Sequence, residues 1–374
     1  MKHLFLIIIG CIFLFFTSCN ENELIAENQE IKNEKLNSKR RIDNCFRKIK
    51  TLVIDDWGQF GHGFTFKKYF VKDWTGDGIA DIMALKNDGK MYFYEGYSKS
   101  TSHLAVNKPN TTEDVGRFNF KYKVHSGILV GTGWNNFKEF YPADWTGDGL
   151  TDLMAFRNNN IMYLFRWNGR SFNKGKPISS PSAGTLWNAN DKRVLVNLGG
   201  NKADLIEIGE FPGDSDFMRK LVWNGSSFTS IHFTFGYDIK DDHYPFDFNH
   251  DGITDLIIRK PDGKLYYKKN LSGSSKYIGH GWNNFKKLLP GNNWSFCTPL
   301  SSFTGIKSNG DMYSYLWNKQ TESFYPGKKV GSGWNNFSDI FVADISKDVF
   351  YRDDFIALKK NGTIRAYGTV LELE

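Results

Sequence analysis

Asp73-Trp74-Thr75-Gly76-Asp77-Gly78-Ile79-Ala80-Asp81 is the stretch that decides the fold, because the chain repeats it. A near-identical copy runs from Asp144 to Asp152, and a third runs from Asp247 to Asp255. Asp344 begins a fourth copy that soon departs from the pattern. The chain is therefore built from a repeated unit, and the repeat has to be interpreted before any single motif.

Weaker units fit near Asn197 and Asn292, which brings the number of units to six. Their starts lie 45 to 53 residues apart after the first interval of 71, which is interpreted as one unit plus an insertion within residues 101–126. A unit of roughly 50 residues is the size of one four-stranded propeller blade. Within a unit the loop leads into an apolar string such as Ile82–Leu85, a tight turn such as 87–89 and an aromatic strand such as Met91–Tyr94. This order predicts an all-β propeller of four-stranded blades with six blades, five or seven being the alternatives. The terminal segments are expected to share one blade and so close the ring.

The loop has the chemistry of a calcium site. Oxygen-bearing side chains stand at its positions 1, 3, 5 and 9, a glycine stands at 6, and the carbonyl of residue 7 completes the set. This alternation suits Ca²⁺, a hard cation that takes six to eight oxygen ligands. The predicted ligands of up to three structural calcium ions are Asp73, Thr75, Asp77, Ile79 and Asp81; Asp144, Thr146, Asp148, Leu150 and Asp152; and Asp247, Asn249, Asp251, Ile253 and Asp255.

The alternative is a tight Asp/Gly turn whose carboxylates accept backbone amides without any metal. Threonine at position 3 lowers the charge of the first two sites, so modest affinity is expected. The fourth copy has Val349 where the glycine should be, and its acids Asp353 and Asp354 are out of step with the pattern. No metal is predicted there.

A second string precedes the loops: Gly131–Phe137, Gly279–Phe285 and Gly331–Phe337 share the pattern Gly-x-Gly-Trp-Asn-Asn-Phe. An aromatic face beside amide groups is what a sugar site requires. The candidate glycan residues are therefore Trp134, Asn135, Asn136, Trp282, Asn283, Asn284, Trp334, Asn335 and Asn336. The alternative is that the tryptophans pack the blades and the asparagines form turns.

The Asp-x-x-x-Asp-Gly-x-x-Asp loops with their following apolar strand resemble the FG-GAP or VCBS repeats of integrin-type propellers. The Gly-x-Gly-Trp-Asn-Asn-Phe strings also resemble the blades of tachylectin-type lectins. The resemblance covers about residues 55 to 368. It implies calcium that stabilises blade loops and, in the lectin members, sugar pockets between blades.

The N-terminus predicts export. Residues 1–18 have a positive start and an apolar run too short to span a bilayer, as in a signal peptide. Cys19 at the cut site resembles the lipidated residue of a bacterial lipoprotein, and residues 19–42 form a polar tether like those of surface lipoproteins in the Bacteroidetes. The prediction is an outer-membrane or cell-surface lipoprotein held by this lipid, or a secreted protein, with the propeller in residues 43–374. Cys45 and Cys297 are interpreted as two separate thiols, although export would permit a disulfide.

The net charge of +7 comes from basic and acidic residues that are interspersed along the chain, which argues against nucleic acid as a partner. The sequence contains no Gly-x-Ser-x-Gly, His-Glu-x-x-His or phosphate-binding glycine loop. The function predicted is therefore a calcium-supported, lectin-like propeller that binds glycans without catalysis. A protein-binding adhesin or scaffold is the second hypothesis, and a polysaccharide-active enzyme such as a lyase is the third. The oligomeric state stays open.

Overall fold

The computed structural model describes residues 49–59, 66–100, 120–124, 127–179, 187–211, 215–235, 237–292, 301–345, 353–359 and 363–371. The chain divides into Met1–Arg47 and Lys48–Glu374, and every described residue belongs to the second part. In the described ranges, no helix is long and apolar enough to cross a membrane. The predicted signal peptide, the tether, Cys19, Cys45 and Cys297 lie outside the described residues.

Strands are numbered in chain order, beginning with β1 (Ile49–Gln59). Blade 1 contains β2 (Phe66–Lys72), β3 (Asp81–Lys86) and β4 (Met91–Tyr94); after a separate hairpin of β5 (Gly96–Ser100) and β6 (Phe120–Val124), β7 (Ile128–Gly131) completes it. Blade 2 contains β8 (Phe137–Ala143), β9 (Asp152–Arg157), β10 (Met162–Phe165) and β11 (Lys176–Ile178). Blade 3 contains β12 (Lys192–Val196), β13 (Asp204–Phe211), β14 (Ser215–Trp223) and β15 (Phe228–Phe235).

Blade 4 contains β16 (Asp242–Phe246), β17 (Asp255–Arg259), β18 (Leu265–Lys268) and β19 (Lys276–Gly279). Blade 5 contains β20 (Phe285–Gly291), β21 (Ser302–Lys307) and β22 (Met312–Asn318), and β22 then pairs with both β23 (Ser323–Phe324) and β24 (Lys328–Gly331). Blade 6 contains β25 (Phe337–Ala343), β26 (Asp354–Lys359), β27 (Thr363–Leu371) and, as its fourth strand, β1. All neighbouring strands within a blade are antiparallel. The prediction of six four-stranded blades is confirmed.

The two ends of the propeller close the ring in one sheet. β1 pairs antiparallel with β27, so that Ile49 lies opposite Leu371 and Val53 opposite Tyr367. The pairing supplies blade 6 with a strand from the other end of the chain, as predicted. A closed ring leaves only short edges exposed, which limits unwanted pairing with other chains.

The second strand of a blade is its most buried element. Residues 81–85 of β3 and 152–156 of β9 are all buried, and so are residues 255–258 of β17. Their sequences show an apolar run without alternation because both faces of the strand meet neighbouring blades. The predicted turns at 87–89 and 261–263 follow β3 and β17 and form the hairpins to β4 and β18.

The first strands face the centre of the ring and contact one another from blade to blade, as β12 does with β16, β16 with β20, β20 with β25, and β25 with β2. Five residues before each loop, these strands carry charges that alternate around the ring: Lys68, Glu139, Lys192, Asp242, Lys287 and Asp339. The lysines reach into the following blade, where Lys192 Nζ donates to the Asp241 carbonyl at 2.7 Å and Lys287 Nζ lies 3.4 Å from Asp339 Oδ1. Odd and even blades are therefore complementary in charge at their inner edge.

Candidate functional site

The last aspartate of each regular loop is a buried structural clip. In blade 1, Asp81 Oδ2 accepts hydrogen bonds from the amides of Trp74 at 2.8 Å and Thr75 at 3.1 Å, while its Oδ1 accepts the amide of Gly96 at 2.7 Å. One side chain thus joins the loop to the chain shortly after the third strand, where β5 begins. Burial raises the pKa of Asp81 to about 7, although these amides oppose the shift by favouring the ionised carboxylate.

The same clip recurs around the ring. Asp152 accepts the amides of Thr146 and Trp167, Asp204 those of Leu198 and Trp223, and Asp255 those of Phe248 and Asn270, at 2.7 to 3.2 Å. In blade 6, Asp354 begins β26 and accepts the amide of Ile345 at 3.4 Å, so it takes the place of the final aspartate although the loop is two residues longer than the regular loops. Blade 5 has Ser302 instead, whose hydroxyl donates to the Gly291 carbonyl.

The first aspartate of the loop shapes the turn itself. In blade 2, Asp144 Oδ1 accepts the amides of Gly147 at 2.6 Å and Asp148 at 3.2 Å, and its Oδ2 accepts that of Gly149 at 2.9 Å. Oxygen atoms from Asp144, Asp148 and Asp152 all lie within 4.8 Å of one another. The predicted ligands of this loop are therefore brought together, and the donor set of three carboxylates suits a hard divalent cation.

The loops of blades 1 and 4 have similar turn hydrogen bonds. The Gly78 amide donates to Asp73 Oδ2 and the Gly252 amide to Asp247 Oδ2, both at 2.8 Å. In blade 4, Asn270 Nδ2 also donates to Asp251 Oδ2 at 2.9 Å. The repeat pattern did not predict this amide beside a candidate ligand, because Asn270 lies outside the loop, in the short 3-10 turn that follows the third strand.

Hydrogen bonds between loops join every pair of neighbouring blades. They are Ala80 N to the Asp344 carbonyl at 2.8 Å, Thr151 Oγ1 to the Asp73 carbonyl at 2.5 Å, Ala203 N to the Asp144 carbonyl at 3.5 Å, Thr254 N to the Asn197 carbonyl at 2.8 Å, Ser301 Oγ to the Asp247 carbonyl at 3.2 Å, and Asn292 N to Asp353 Oδ2 at 2.8 Å. The residue before the final aspartate thus contacts the first residue of the preceding loop. The loops form one hydrogen-bonded belt around the ring.

The tryptophans of the Gly-x-Gly-Trp-Asn-Asn-Phe strings are buried, with 4%, 6% and 4% of Trp134, Trp282 and Trp334 exposed. Trp134 packs against Phe165 with ring centroids 4.6 Å apart, and Trp282 and Trp334 pack in the same way against aromatic residues of blades 5 and 6. These rings therefore have no face open to a sugar, and the geometry favours the blade-packing interpretation.

The two glycines of each string are needed for different physical reasons. A Cβ on Gly131 would lie 2.5 Å from Trp134 Nε1, so the first glycine makes room for the indole. Gly133 has a φ of 80°, a left-handed conformation that favours glycine. Both features serve the packing of the tryptophan.

The asparagines of the strings are exposed, yet they also serve turns. Asn136 Nδ2 donates to the Gly133 carbonyl at 2.9 Å, and Asn284 and Asn336 repeat this bond. Asn135 lies against Gly89 of the preceding hairpin, where a Cβ would come within 2.6 Å of its Oδ1; Asn283 and Asn335 stand in the same way against Gly263 and Gly310. The nine predicted glycan residues are thus placed at three separate blade junctions and fix those junctions.

Blade 3 departs from this plan and uses charge instead. Glu207 is fully buried and pairs with Arg193 Nη2 at 2.8 Å and with Arg219. Arg193 also reaches Glu139 of blade 2 at 3.5 Å. The buried pairs lie within blade 3, where breaking one is costly, and the Arg193–Glu139 contact extends the cluster to blade 2 where a Gly-x-Gly-Trp string is missing.

A pocket of about 300 Å³ opens beside the irregular loop of blade 3, where loops of blades 2, 3 and 4 meet. Its walls include aliphatic residues, a lysine and amide groups: Leu195, Val196, Ala203, Pro245, Lys202, Asn197 and Asn201, together with Asp144 and Thr254. The repeat pattern did not predict this pocket. The signal was the replacement of Thr-Gly-Asp-Gly by 199–202, Gly-Gly-Asn-Lys, in the third unit.

No family model matches the sequence, and no curated protein matches it. Among solved structures, the chain is similar to BBS1N in complex with ARL6DN, in crystals soaked with lead (TM-score 0.46) and with mercury (TM-score 0.48), each at 10% identity over 87% of this chain and 97% of that chain. It is also similar to the Dos1 propeller, with a TM-score of 0.40 and 10% identity over 81% of this chain and 68% of that chain. These likenesses concern the fold alone, and the count of six blades rests on the sheets themselves.

Replacing Asp204 by alanine tests the clip in a loop without a predicted metal. The substitution leaves the amides of Leu198 and Trp223 without their acceptor, and we expect the free energy of unfolding to fall by about 2 to 4 kcal/mol in denaturant titration. Glu210→Ala, at an exposed position on the same strand, is the matched control and should change it by less than about 0.5 kcal/mol. Equal effects of the two substitutions would show that the clip does not stabilise the blade.

Proposed function

We propose that this chain is a non-enzymatic binding propeller. It holds a protein partner on the side of the ring that carries the loops between first and second strands, at the junction of blades 2, 3 and 4. The observation that supports this is the pocket beside blade 3, which combines an aliphatic wall with a lysine. Elsewhere the repeated tryptophans and final aspartates are used inside the fold. Recognition is assigned to the one blade junction where the described residues lack both the regular loop and the tryptophan string.

The lining of the pocket favours a protein over a glycan. Sugar sites stack the apolar face of a pyranose on an aromatic ring, and the residues that line this pocket include no aromatic side chain. Leu195, Ala203 and Pro245 instead offer a surface suited to an aliphatic side chain. The protein-binding hypothesis therefore has support that the lectin hypothesis lacks.

Calcium is proposed as a structural ion in the loops of blades 1, 2 and 4. Asp144, Asp148 and Asp152 would hold it in blade 2, with Thr146 and the Leu150 carbonyl completing the set, and blades 1 and 4 would use the corresponding residues. A divalent cation would favour the ionised carboxylates that burial otherwise disfavours. Bound calcium would stiffen the loops that carry the hydrogen bonds between blades.

Calcium titration followed by calorimetry tests this proposal. We expect up to three sites, a higher melting temperature in calcium than in chelator, and a gain of about 2.7 kcal/mol per site at one hundred times the Kd. Asp148→Asn should lower the stoichiometry by one. Asp262→Asn is the matched control, since both aspartates are exposed and accept the amide two residues ahead at 3.0 Å. Identical melting in calcium and chelator, with no heat of binding, would refute the calcium sites.

We further propose that the chain is exported and anchored by a lipid on Cys19, on the sequence pattern of residues 1–19. Mass spectrometry of the N-terminal peptide from membrane-purified protein should show cleavage before Cys19 and acyl chains on that residue. Cys19→Ser should release the protein from the membrane fraction. An intact N-terminus, or an unmodified cysteine after cleavage, would refute the lipid anchor.

The partner is tested by photo-crosslinking from the native chain in its own cells. A crosslinker at Asn201, which is exposed at the pocket, should give a discrete protein adduct. The same crosslinker at Lys328, an exposed residue of β24 in blade 5, should give no protein adduct. The purified protein should stay silent on a glycan array with calcium present. Array binding without a protein adduct would overturn the proposal in favour of the lectin.

A further inference from the structure

The pocket at blade 3 is lined by one lysine, Lys202, in a loop that replaces the regular acidic turn. Among the described residues, Lys202 forms no ion pair and donates no side-chain hydrogen bond, and it is only partly exposed. Its side chain lies across Gly147 of blade 2, where a Cβ would come within 3.3 Å of Cε, and its ammonium lies beside Gly225, where a Cβ would come within 2.9 Å of Nζ. Two glycines thus leave the space that the lysine occupies.

The acid in the pocket wall, Asp144, forms no ion pair with this lysine and is turned toward its own loop. Both oxygens of Asp144 already accept amides of its own loop, from Gly147, Asp148 and Gly149. The Oδ1 of Asn197 accepts the Gly199 amide at 2.8 Å, so this side chain can offer a ligand only its Nδ2 group. The groups that can meet a carboxylate ligand are the Lys202 ammonium and the side-chain amides of Asn197 and Asn201, beside the aliphatic wall.

The wall and the volume define the rest of the ligand. Leu195, Val196, Ala203 and Pro245 are contributed by three structural segments that the ring holds in place. About 300 Å³ is at the lower end of the range for small-molecule pockets. It suits one residue of a chain much better than a long segment.

We propose that this pocket captures the C-terminal residue of a partner chain, with its carboxylate on Lys202 and its apolar side chain on the aliphatic wall. This inference rests on the proposed function and names the chemistry of its site. A carboxylate and an ammonium form a charge-assisted hydrogen bond, which is about twice as strong as a neutral one. The adjacent wall then selects an aliphatic last residue, because burial of its side chain adds favourable free energy.

Ligand-observed NMR on the full chain in calcium tests the assignment with three small probes. N-acetyl-L-leucine mimics an apolar C-terminus, N-acetyl-L-leucinamide lacks the carboxylate, and N-acetyl-L-isoglutamine carries a carboxylate only on its side chain. We expect N-acetyl-L-leucine to bind in the millimolar range, and its amide to bind about tenfold more weakly or worse, since the charged hydrogen bond is lost. N-acetyl-L-isoglutamine should also bind more weakly because it has no apolar side chain.

Lys202→Gln should remove the preference for the acid over the amide, while Lys240→Gln, at an exposed lysine outside the pocket, should keep it. Unchanged melting temperatures would show that both variants are folded. Equal binding of acid and amide, tightest binding of N-acetyl-L-isoglutamine, or no binding of any probe would overturn the proposal.

The experiments distinguish the binding of a protein partner from the capture of its C-terminal residue. A protein adduct at Asn201 without binding of N-acetyl-L-leucine would keep the protein-binding function and overturn capture of a C-terminus. Binding of N-acetyl-L-leucine without any protein adduct would overturn the protein partner as the occupant of this pocket.

Discussion

A buried carboxylate at the start of the second strand holds together parts of each blade that are distant in sequence. In blade 2, Asp152 accepts an amide from the loop before it and the Trp167 amide 15 residues after it. A carboxylate suits this place because it offers two oxygens as acceptors and needs no donor in return. Burial of the charge is unfavourable, as the raised pKa of Asp152 shows, and the amides offset that cost.

The rest of the ring depends on the loop that this clip holds. With the loop in place, its second residue points into the interface with the next blade, where Trp74 packs on Trp167 and Trp145 on Trp223. The hydrogen bonds between loops then repeat at each interface, including the one at which Ala80 meets Asp344 and the ring closes. The hydrogen bonds that shape each loop thereby also position the residues that contact the neighbouring blade. Ligands that bind the loops would act on the same contacts.

Much of the fold could be predicted from the sequence, because the same spacing of loop, strand and turn residues recurs in several units. The six blades, the buried second strands, the hairpin turns and the shared terminal blade all follow from repeated residues and were confirmed. The tryptophan strings were harder to interpret, because an exposed Trp and a buried Trp have the same sequence signature. Burial of Trp334, at 4% exposed, depends on an aromatic neighbour, Tyr367, that lies on another strand.

Sequence by itself determined the fold class, favoured six blades over five or seven, and located the acidic loops, of which the blade 2 loop brings three carboxylates together, because these features depend on short spacings that the chain repeats. Tertiary structure alone decided which polar groups remain free. Asp144 and Lys202 are far apart in sequence and line one pocket only when blades 2 and 3 meet; there Asp144 accepts amides of its own loop, and Lys202 forms no ion pair with any residue that the structure describes. A pocket between blades is a property of three-dimensional contacts, and it arises where the repeat is broken.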